Sequence, residues 1–146
     1  MHDDLYQEIL LDHYRHPRNK RPLPHIPESR AHENPTCGDS VKLEVKLHDG
    51  VIEEVAFDGK GCAIDTASAS IMTELLKGKT VEEALALAEK VIRMIRGEDP
   101  TPFEEFGDLV VFSGLSAYPV RVKCATLPWH ALLDEISKLR SDIPSR

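Results

Sequence analysis

The sequence has few of the features that mark secreted, membrane-spanning or nucleic-acid-binding proteins. Its 146 residues include only three cysteines and one tryptophan. A small, odd number of cysteines argues against a disulfide framework, and no apolar run approaches the roughly 20 residues that cross a bilayer. Lysine and arginine number 18 against 25 aspartates and glutamates, so the net charge is −7. Nucleic acid and anionic membranes are therefore unfavourable partners.

The remaining composition is that of one ordinary globular domain. Hydrophobic residues make up 41% of the chain and charged residues 29%, and the length suits a single core, so we expect one domain over residues 1–146. The first residues, Met1-His2-Asp3-Asp4, lack the basic and apolar stretches of a secretory signal. We expect a cytoplasmic protein whose thiols stay reduced.

Periodicity predicts four helices and a small sheet, an α+β fold with helices packed on one face of an antiparallel sheet of about three strands. The predicted helices cover Leu5–Tyr14, the segment from Cys62 to Gly78, the segment from Thr80 to Gly97, and a segment that starts near Thr126. Thr80 and Glu83 are spaced as a capping box. The proline-rich residues 17–36 suggest an edge strand near Glu28–Glu33, and residues 98–117 a surface excursion with one short element.

The clearest strand signal is a hairpin around His48-Asp49-Gly50. Alternating apolar residues on both sides favour a three-residue loop with Gly50 in the left-handed region. This register sets Leu43 opposite Val55, and its continuation brings Cys37 opposite Gly61. The hairpin is therefore predicted to bring Cys37 next to Cys62.

The three cysteines occupy positions that suit ionised thiols. Cys62 and Cys124 each precede a predicted helix start, where free backbone N–H groups favour the thiolate. Arg121 and Lys123 add positive charge beside Cys124, while Asp39 points to the same side of an extended segment as Cys37. Three thiolates and one carboxylate could thus meet at one end of the sheet.

Such a ligand set suits a soft, tetrahedral centre. Thiolates select Zn²⁺, Cu(I) or an iron–sulfur cluster. A carboxylate in place of a fourth thiolate or imidazole would loosen the grip on a soft ion and permit exchange. Because the chain has no C-x-x-C pair, the spacing alone leaves this interpretation open against cysteines scattered through the core.

Four segments, in order, resemble the motifs of the IscU/NifU-N scaffold family. They read Asp12-His13-Tyr14-Arg15-His16-Pro17-Arg18-Asn19, Asn34-Pro35-Thr36-Cys37-Gly38-Asp39, Gly61-Cys62-Ala63-Ile64 and Pro119-Val120-Arg121-Val122-Lys123-Cys124. The resemblance implies that Cys37, Asp39, Cys62 and Cys124 hold a transient [2Fe–2S] cluster or a zinc ion. It also implies a SufS/IscS-type cysteine desulfurase as sulfur donor and apoproteins as recipients.

Two departures resemble the SufU-type branch of that family. Lys123 replaces the histidine that precedes the third cysteine in IscU-type members, and residues 98–117 would hold an insertion. The stretch Ala117-Tyr118-Pro119-Val120-Arg121 departs from the Leu-Pro-Pro-Val-Lys chaperone motif, which argues against chaperone-driven release. The branch raises a second role, a zinc-dependent acceptor of persulfide sulfur, formally a transferase. We expect Cys124 to be the acceptor. A structural zinc domain remains the third alternative.

Other titratable residues favour structural interpretations. His13 and His16 share a helical face, but Pro17 follows and no carboxylate is placed to complete a site, so we expect packing or a partner surface. His130 is more consistent with an amphipathic helix than with a Cys–His pair, and Asp65 with a first-turn residue than with a fifth ligand. Lys123 fits equally a surface residue or a cation that offsets the charge of the centre.

Overall fold

The computed structural model describes residues 2–35 and 38–142 and shows a three-stranded antiparallel sheet with four long helices. Their bounds are α1 His2–Arg15, β1 His32–Asn34, β2 Asp39–His48, β3 Val51–Lys60, α2 Ala63–Leu76, α3 Val81–Ile95 and α4 Pro119–Asp142. The strand order is β1-β2-β3. The predicted α+β fold class is confirmed. In the part of the chain that is described, no helix has the length and apolarity that a membrane span requires.

The β2–β3 hairpin differs from its predicted register. Asp49 and Gly50 both have positive φ, 53° and 76°, which produces a two-residue turn with His48 opposite Val51. A bulge then adds one residue, Glu53, on β3, so that Val45 pairs with Val55. A two-residue turn alone would place the apolar side chains of β2 and β3 on opposite faces of the sheet. The extra residue of the bulge moves the following β3 side chains to the other face, so the apolar residues of both strands again share one face.

The shifted register changes which residue lies near Cys62. The last pair of the ladder is Ser40 with Lys60. One further step brings Asp39 to the level of Gly61, a place that the predicted register had assigned to Cys37. The predicted register is therefore wrong at this end of the hairpin, and Cys37 itself lies outside the described residues.

The core lies between the sheet and the helices. Helices α2 and α4 both contact the sheet, α3 packs against α4, and α1 packs against α2. Small residues on α2 allow the close approach, and Ala67 and Ala69 are fully buried. Trp129 of α4 is also fully buried. The other face of β3 is covered at Ala56 by the proline-rich segment, whose Leu23 and Ile26 form a small second cluster.

The other predicted elements are confirmed in part. The capping box of Thr80 and Glu83 is present and starts α3. The edge strand is His32–Asn34, preceded by a 3₁₀ turn at Glu28–Arg30. Residues 98–117 hold two 3₁₀ segments, Phe103–Phe112 and Leu115–Ala117, instead of one short element.

The excursion over residues 98–117 is anchored in the core. Leu109 and Phe112 are buried at 0% and 1% exposure, because the chain turns inward after a kink at Phe106 and Gly107. The segment is therefore fixed against the body of the domain rather than lying loosely on its surface.

Candidate metal centre

Three of the four predicted ligands meet at one end of the sheet. Asp39 begins β2, Cys62 is the N-cap residue of α2 and Cys124 lies in α4. One carboxylate oxygen of Asp39 and the two sulfur atoms all lie within 4.8 Å of one another. Cys37 lies outside the described residues, so its place in the set stays a prediction.

Cys62 is held in place by the start of α2 and by Asp39. Its backbone N–H donates to Asp39 Oδ1 at 3.2 Å, and its thiol donates to Asp39 Oδ2 at 3.4 Å. Its sulfur accepts the backbone N–H of Asp65 at 3.4 Å, which makes the thiol the N-cap group of the helix. The prediction that Cys62 precedes a helix start is confirmed.

The pKa of the Cys62 thiol is nevertheless raised in the metal-free protein. Partial desolvation of the sulfur, which is accessible on one side, is the largest cause, and the Asp39 carboxylate raises the pKa further. Hydrogen bonds from Asp65 N–H and from the Cys124 side chain lower it, but do not offset burial. The expected easy ionisation is wrong for this thiol because the helix N-terminus acts against desolvation and a nearby negative charge.

Cys124 lies inside a helix rather than in front of one. Helix α4 begins at Pro119, where proline suits the first helical position, and continues through Pro128. The predicted start near Thr126 is therefore wrong, and Cys124 does not precede the start of its own helix. The thiol is 5% exposed, whereas Cys62 is solvent-exposed.

A buried hydrogen-bond bridge supports the wall behind Cys124. Ser68 of α2 donates its hydroxyl to the carbonyl of Ala125 at 2.6 Å and accepts the indole N–H of Trp129 at 3.1 Å. Ser68 and Trp129 are fully buried. The bridge fixes α2 relative to α4, and thereby Cys62 relative to Cys124.

Asp65 contributes a second carboxylate beside the centre. It lies in the first turn of α2, as expected, but is 4% exposed, and its Oδ1 has no hydrogen-bond partner among the described residues. A Cβ at Gly61 would lie 2.0 Å from its Oδ2, so a larger residue there would require the Asp65 carboxylate to move. Burial and the Asp39 charge raise the pKa of Asp65 to about 8, against a smaller lowering effect of Lys20. The sequence showed the acid but not its burial.

The remaining candidates lie around the centre rather than in the described ligand group. Lys123 is exposed and lines a shallow cleft with Arg96 and His130. Burial, and to a lesser degree Arg96, lower the pKa of His130. His130 accepts a hydrogen bond from Arg96 at 3.4 Å, and neither Lys123 nor His130 belongs to the group formed by Asp39, Cys62 and Cys124.

The donor set fits a thiophilic metal centre. Two sulfurs and a carboxylate oxygen within 4.8 Å supply three of the four donors of a tetrahedral site. A small α+β domain with this arrangement at one sheet end has the donors to hold a metal ion or cluster through thiolates.

Comparison with known proteins identifies the family. The model of the NifU-like N-terminal domain matches residues 5–125, and the chain belongs to that family. It is 40% identical to the zinc-dependent sulfurtransferase SufU of Bacillus subtilis, over 93% of this chain and 92% of the relative. It is also 40% identical to the iron–sulfur cluster assembly scaffold protein IscU of Streptococcus pyogenes, over 92% of this chain and 84% of the relative. The crystal structure of a NifU-like protein N-terminal domain from Brucella abortus superposes with a TM-score of 0.78 at 26% identity, covering 97% of this chain and 98% of that one.

Proposed function

We propose that the protein is a scaffold for iron–sulfur cluster assembly, which receives sulfur from a cysteine desulfurase and passes a transient [2Fe–2S] cluster to apoproteins. The observation that carries this proposal is the convergence of Asp39, Cys62 and Cys124 in a domain of the NifU-like family. Relatives named as cluster assembly scaffolds match over most of their length. The net charge of −7 is consistent with protein partners rather than nucleic acid.

We assign Cys37, Asp39, Cys62 and Cys124 as the ligands. Thiolates are the ligands that iron–sulfur clusters and Zn²⁺ prefer, whereas the carboxylate of Asp39 is harder and binds soft ions more weakly. When bound, zinc would keep the thiolates deprotonated at neutral pH. The exposed Cys62 and the weak Asp39 leave one side of the group open for exchange of the cargo.

The partners follow from this chemistry. A sulfur donor must present a persulfide to the exposed edge of the centre, and a SufS- or IscS-type desulfurase has that chemistry. Recipients must offer thiolates that compete with Asp39 for the cluster. We place both exchanges in the cytoplasm, where thiols stay reduced.

Anaerobic reconstitution tests the scaffold role. The protein would be incubated with ferrous iron, cysteine and a desulfurase, and the visible absorption of a protein-bound cluster recorded. We expect absorption for the wild type and for the control Ser113→Ala, an exposed position outside the ligand set. It should be lost in Cys37→Ser, Cys62→Ser and Cys124→Ser. Absorption as strong as that of the wild type in all three cysteine variants would contradict the ligand assignment, and no cluster absorption in the wild type would contradict the scaffold role.

A second candidate role is a zinc-dependent sulfur acceptor, favoured by the 40% identity to a zinc-dependent sulfurtransferase. In this role the Cys124 thiolate attacks the outer sulfur of the desulfurase persulfide. A new S–S bond forms on Cys124, the old S–S bond breaks, and the desulfurase cysteine leaves as a thiolate.

Sulfur uptake from a persulfidated desulfurase separates the two roles. The acceptor role predicts faster desulfurase turnover without stable colour, and loss of protein-bound sulfur in Cys124→Ser but not in Ser113→Ala. Full uptake by Cys124→Ser would remove the assignment of Cys124. If neither cluster formation nor sulfur uptake occurs, the centre is a structural zinc site and both proposals fail.

A further inference from the structure

His13 is the most completely buried titratable side chain outside the cysteine centre. It is 0% exposed, and both ring nitrogens have partners from distant parts of the chain. Nδ1 lies 2.8 Å from Ser70 Oγ on α2, and Nε2 lies 2.7 Å from Asp108 Oδ2. The expectation that no carboxylate is placed to complete a site at His13 is therefore wrong, because the fold brings Asp108 from 95 positions away.

A second carboxylate completes the group. Glu74 lies one turn after Ser70 on α2, so the two residues share a helix face. A ring nitrogen of His13 and one oxygen each of Glu74 and Asp108 lie within 4.8 Å of one another. His13 forms the buried floor, while Glu74 and Asp108 are exposed and open the group to solvent.

We propose that His13, Glu74 and Asp108 form a second metal site, separate from the cysteine centre, for a divalent first-row transition ion. One imidazole and two carboxylates supply nitrogen and oxygen donors, which suit ions such as Mn²⁺ and Fe²⁺ better than thiophilic ions. Three protein donors leave the other coordination positions to water. The site joins α1, α2 and the 98–117 segment.

The charges around the group favour a cation. Neither Glu74 nor Asp108 forms an ion pair with a lysine or arginine in the described parts of the chain. The group of His32, Asp134 and Glu135 has a similar composition, but Arg30 and Lys138 already neutralise its carboxylates. A metal ion would therefore neutralise carboxylates that lack a lysine or arginine partner at the group of His13, Glu74 and Asp108, but not at the group of His32, Asp134 and Glu135.

The supporting contacts also suit a ligand histidine. Metal binding replaces the Nε2 proton of His13, and Nδ1–H then donates to Ser70 Oγ, the partner that fixes the ring orientation. Ser70 is itself held, because its Oγ accepts the backbone N–H of Arg18 at 2.8 Å. Asp108 precedes the buried anchor Leu109, so its backbone position is fixed by packing.

Binding of Mn²⁺ to the full chain tests this site. The protein is first loaded with one equivalent of zinc, which the thiolates take, and Mn²⁺ is then titrated while the electron paramagnetic resonance signal of free Mn²⁺ is followed. We expect one Mn²⁺ bound per chain. Glu74→Gln and Asp108→Asn should each weaken binding by about tenfold or more, whereas Glu105→Gln, an exposed acid in the same segment as Asp108, should bind like the wild type.

Glu74→Gln is the cleaner of the two variants. The side chain of Glu74 has no hydrogen bond or ion pair within residues 2–35 and 38–142, so the glutamine side chain should leave the fold unchanged, which circular dichroism would confirm. The proposal would be overturned if the signal of free Mn²⁺ is the same in the presence of the wild-type protein as in buffer alone. So would equal binding by wild type, Glu74→Gln and Asp108→Asn. Neither result depends on cluster assembly.

Discussion

The carboxylate of Asp39 accepts both the backbone N–H and the thiol of Cys62, at 3.2 and 3.4 Å. One side chain thus links the start of β2 to the N-terminus of α2 and places a hard ligand against a soft one. The same contact gives Asp39 electrostatic control of the thiol, because its charge raises the pKa of Cys62.

Replacement of Asp39 by alanine should slow the loss of bound zinc or cluster. The substitution removes the weak oxygen ligand and lowers the pKa of Cys62, so the thiolate binds more persistently. Chelator competition followed over time would measure the rate, with Glu53→Ala at the far end of the hairpin as control. Faster loss from Asp39→Ala than from wild type would refute the idea that Asp39 is the labile ligand.

Asp65 predicts a pH dependence of stability in the metal-free protein. Its folded pKa is about 8, above the ordinary value of 3.8, so the folded state binds the proton more tightly than the unfolded state. The resulting stability is fully present below about pH 4 and declines up to about pH 8, by at most about 1.4 kcal/mol per pH unit.

The variant Asp65→Asn should remove this decline, because the amide stays neutral at every pH. Urea unfolding in the presence of a chelator at pH 5 and 8 would measure it, with the exposed Glu89→Gln as control. We expect Asp65→Asn to be more stable than wild type at the higher pH. Parallel losses of stability in wild type and Asp65→Asn would show that Asp65 ionises as an exposed acid does.

Loss of the Ser68 hydroxyl should weaken the contact between α2 and α4. Ser68→Ala leaves the buried indole N–H of Trp129 without its acceptor, which should cost about 1–3 kcal/mol of unfolding free energy. Chemical unfolding and the tryptophan emission maximum would both report the change. Ser113→Ala is the matched control, and a Ser68→Ala protein as stable as that control would contradict the bridge.

The capping box at the start of α3 makes a smaller, local prediction. Thr80 Oγ1 accepts the N–H of Glu83 at 3.1 Å, and Glu83 Oε1 accepts the N–H of Thr80 at 2.9 Å. Thr80→Ala should therefore reduce the free energy of unfolding by about 1 kcal/mol. The exposed Glu89→Ala in the same helix should have little effect. Equal midpoints of chemical unfolding for Thr80→Ala and Glu89→Ala would rule out a stabilising cap.

The features that depend on residues close together in the chain were the easiest to predict from this sequence. The capping box of Thr80 and Glu83, the N-cap position of Cys62 and the left-handed Gly50 each depend on neighbours within a few residues, and each is confirmed. The register of the hairpin was harder to predict. Its two-residue turn and its bulge at Glu53 compensate each other, so the alternation of apolar residues looks the same for either loop length.

The boundaries around Cys124 were missed for a related reason. The predicted start near Thr126 left out the first turns of α4, which begins at Pro119 and continues through Pro128. Burial of Trp129, Leu132 and Ile136 stabilises the helix beyond its local propensity. The group of His13, Glu74 and Asp108 left no local signal at all.

The sequence by itself determined the helices, the hairpin, the thiol-rich chemistry and the resemblance to a scaffold family, because periodicity, caps and motifs depend on residues close together in the chain. Only the tertiary structure decided that Asp39 meets Cys62, that Cys124 is buried within a helix and that His13 meets Asp108. Those contacts depend on which faces the whole core buries together, and no segment of the chain carries that information alone.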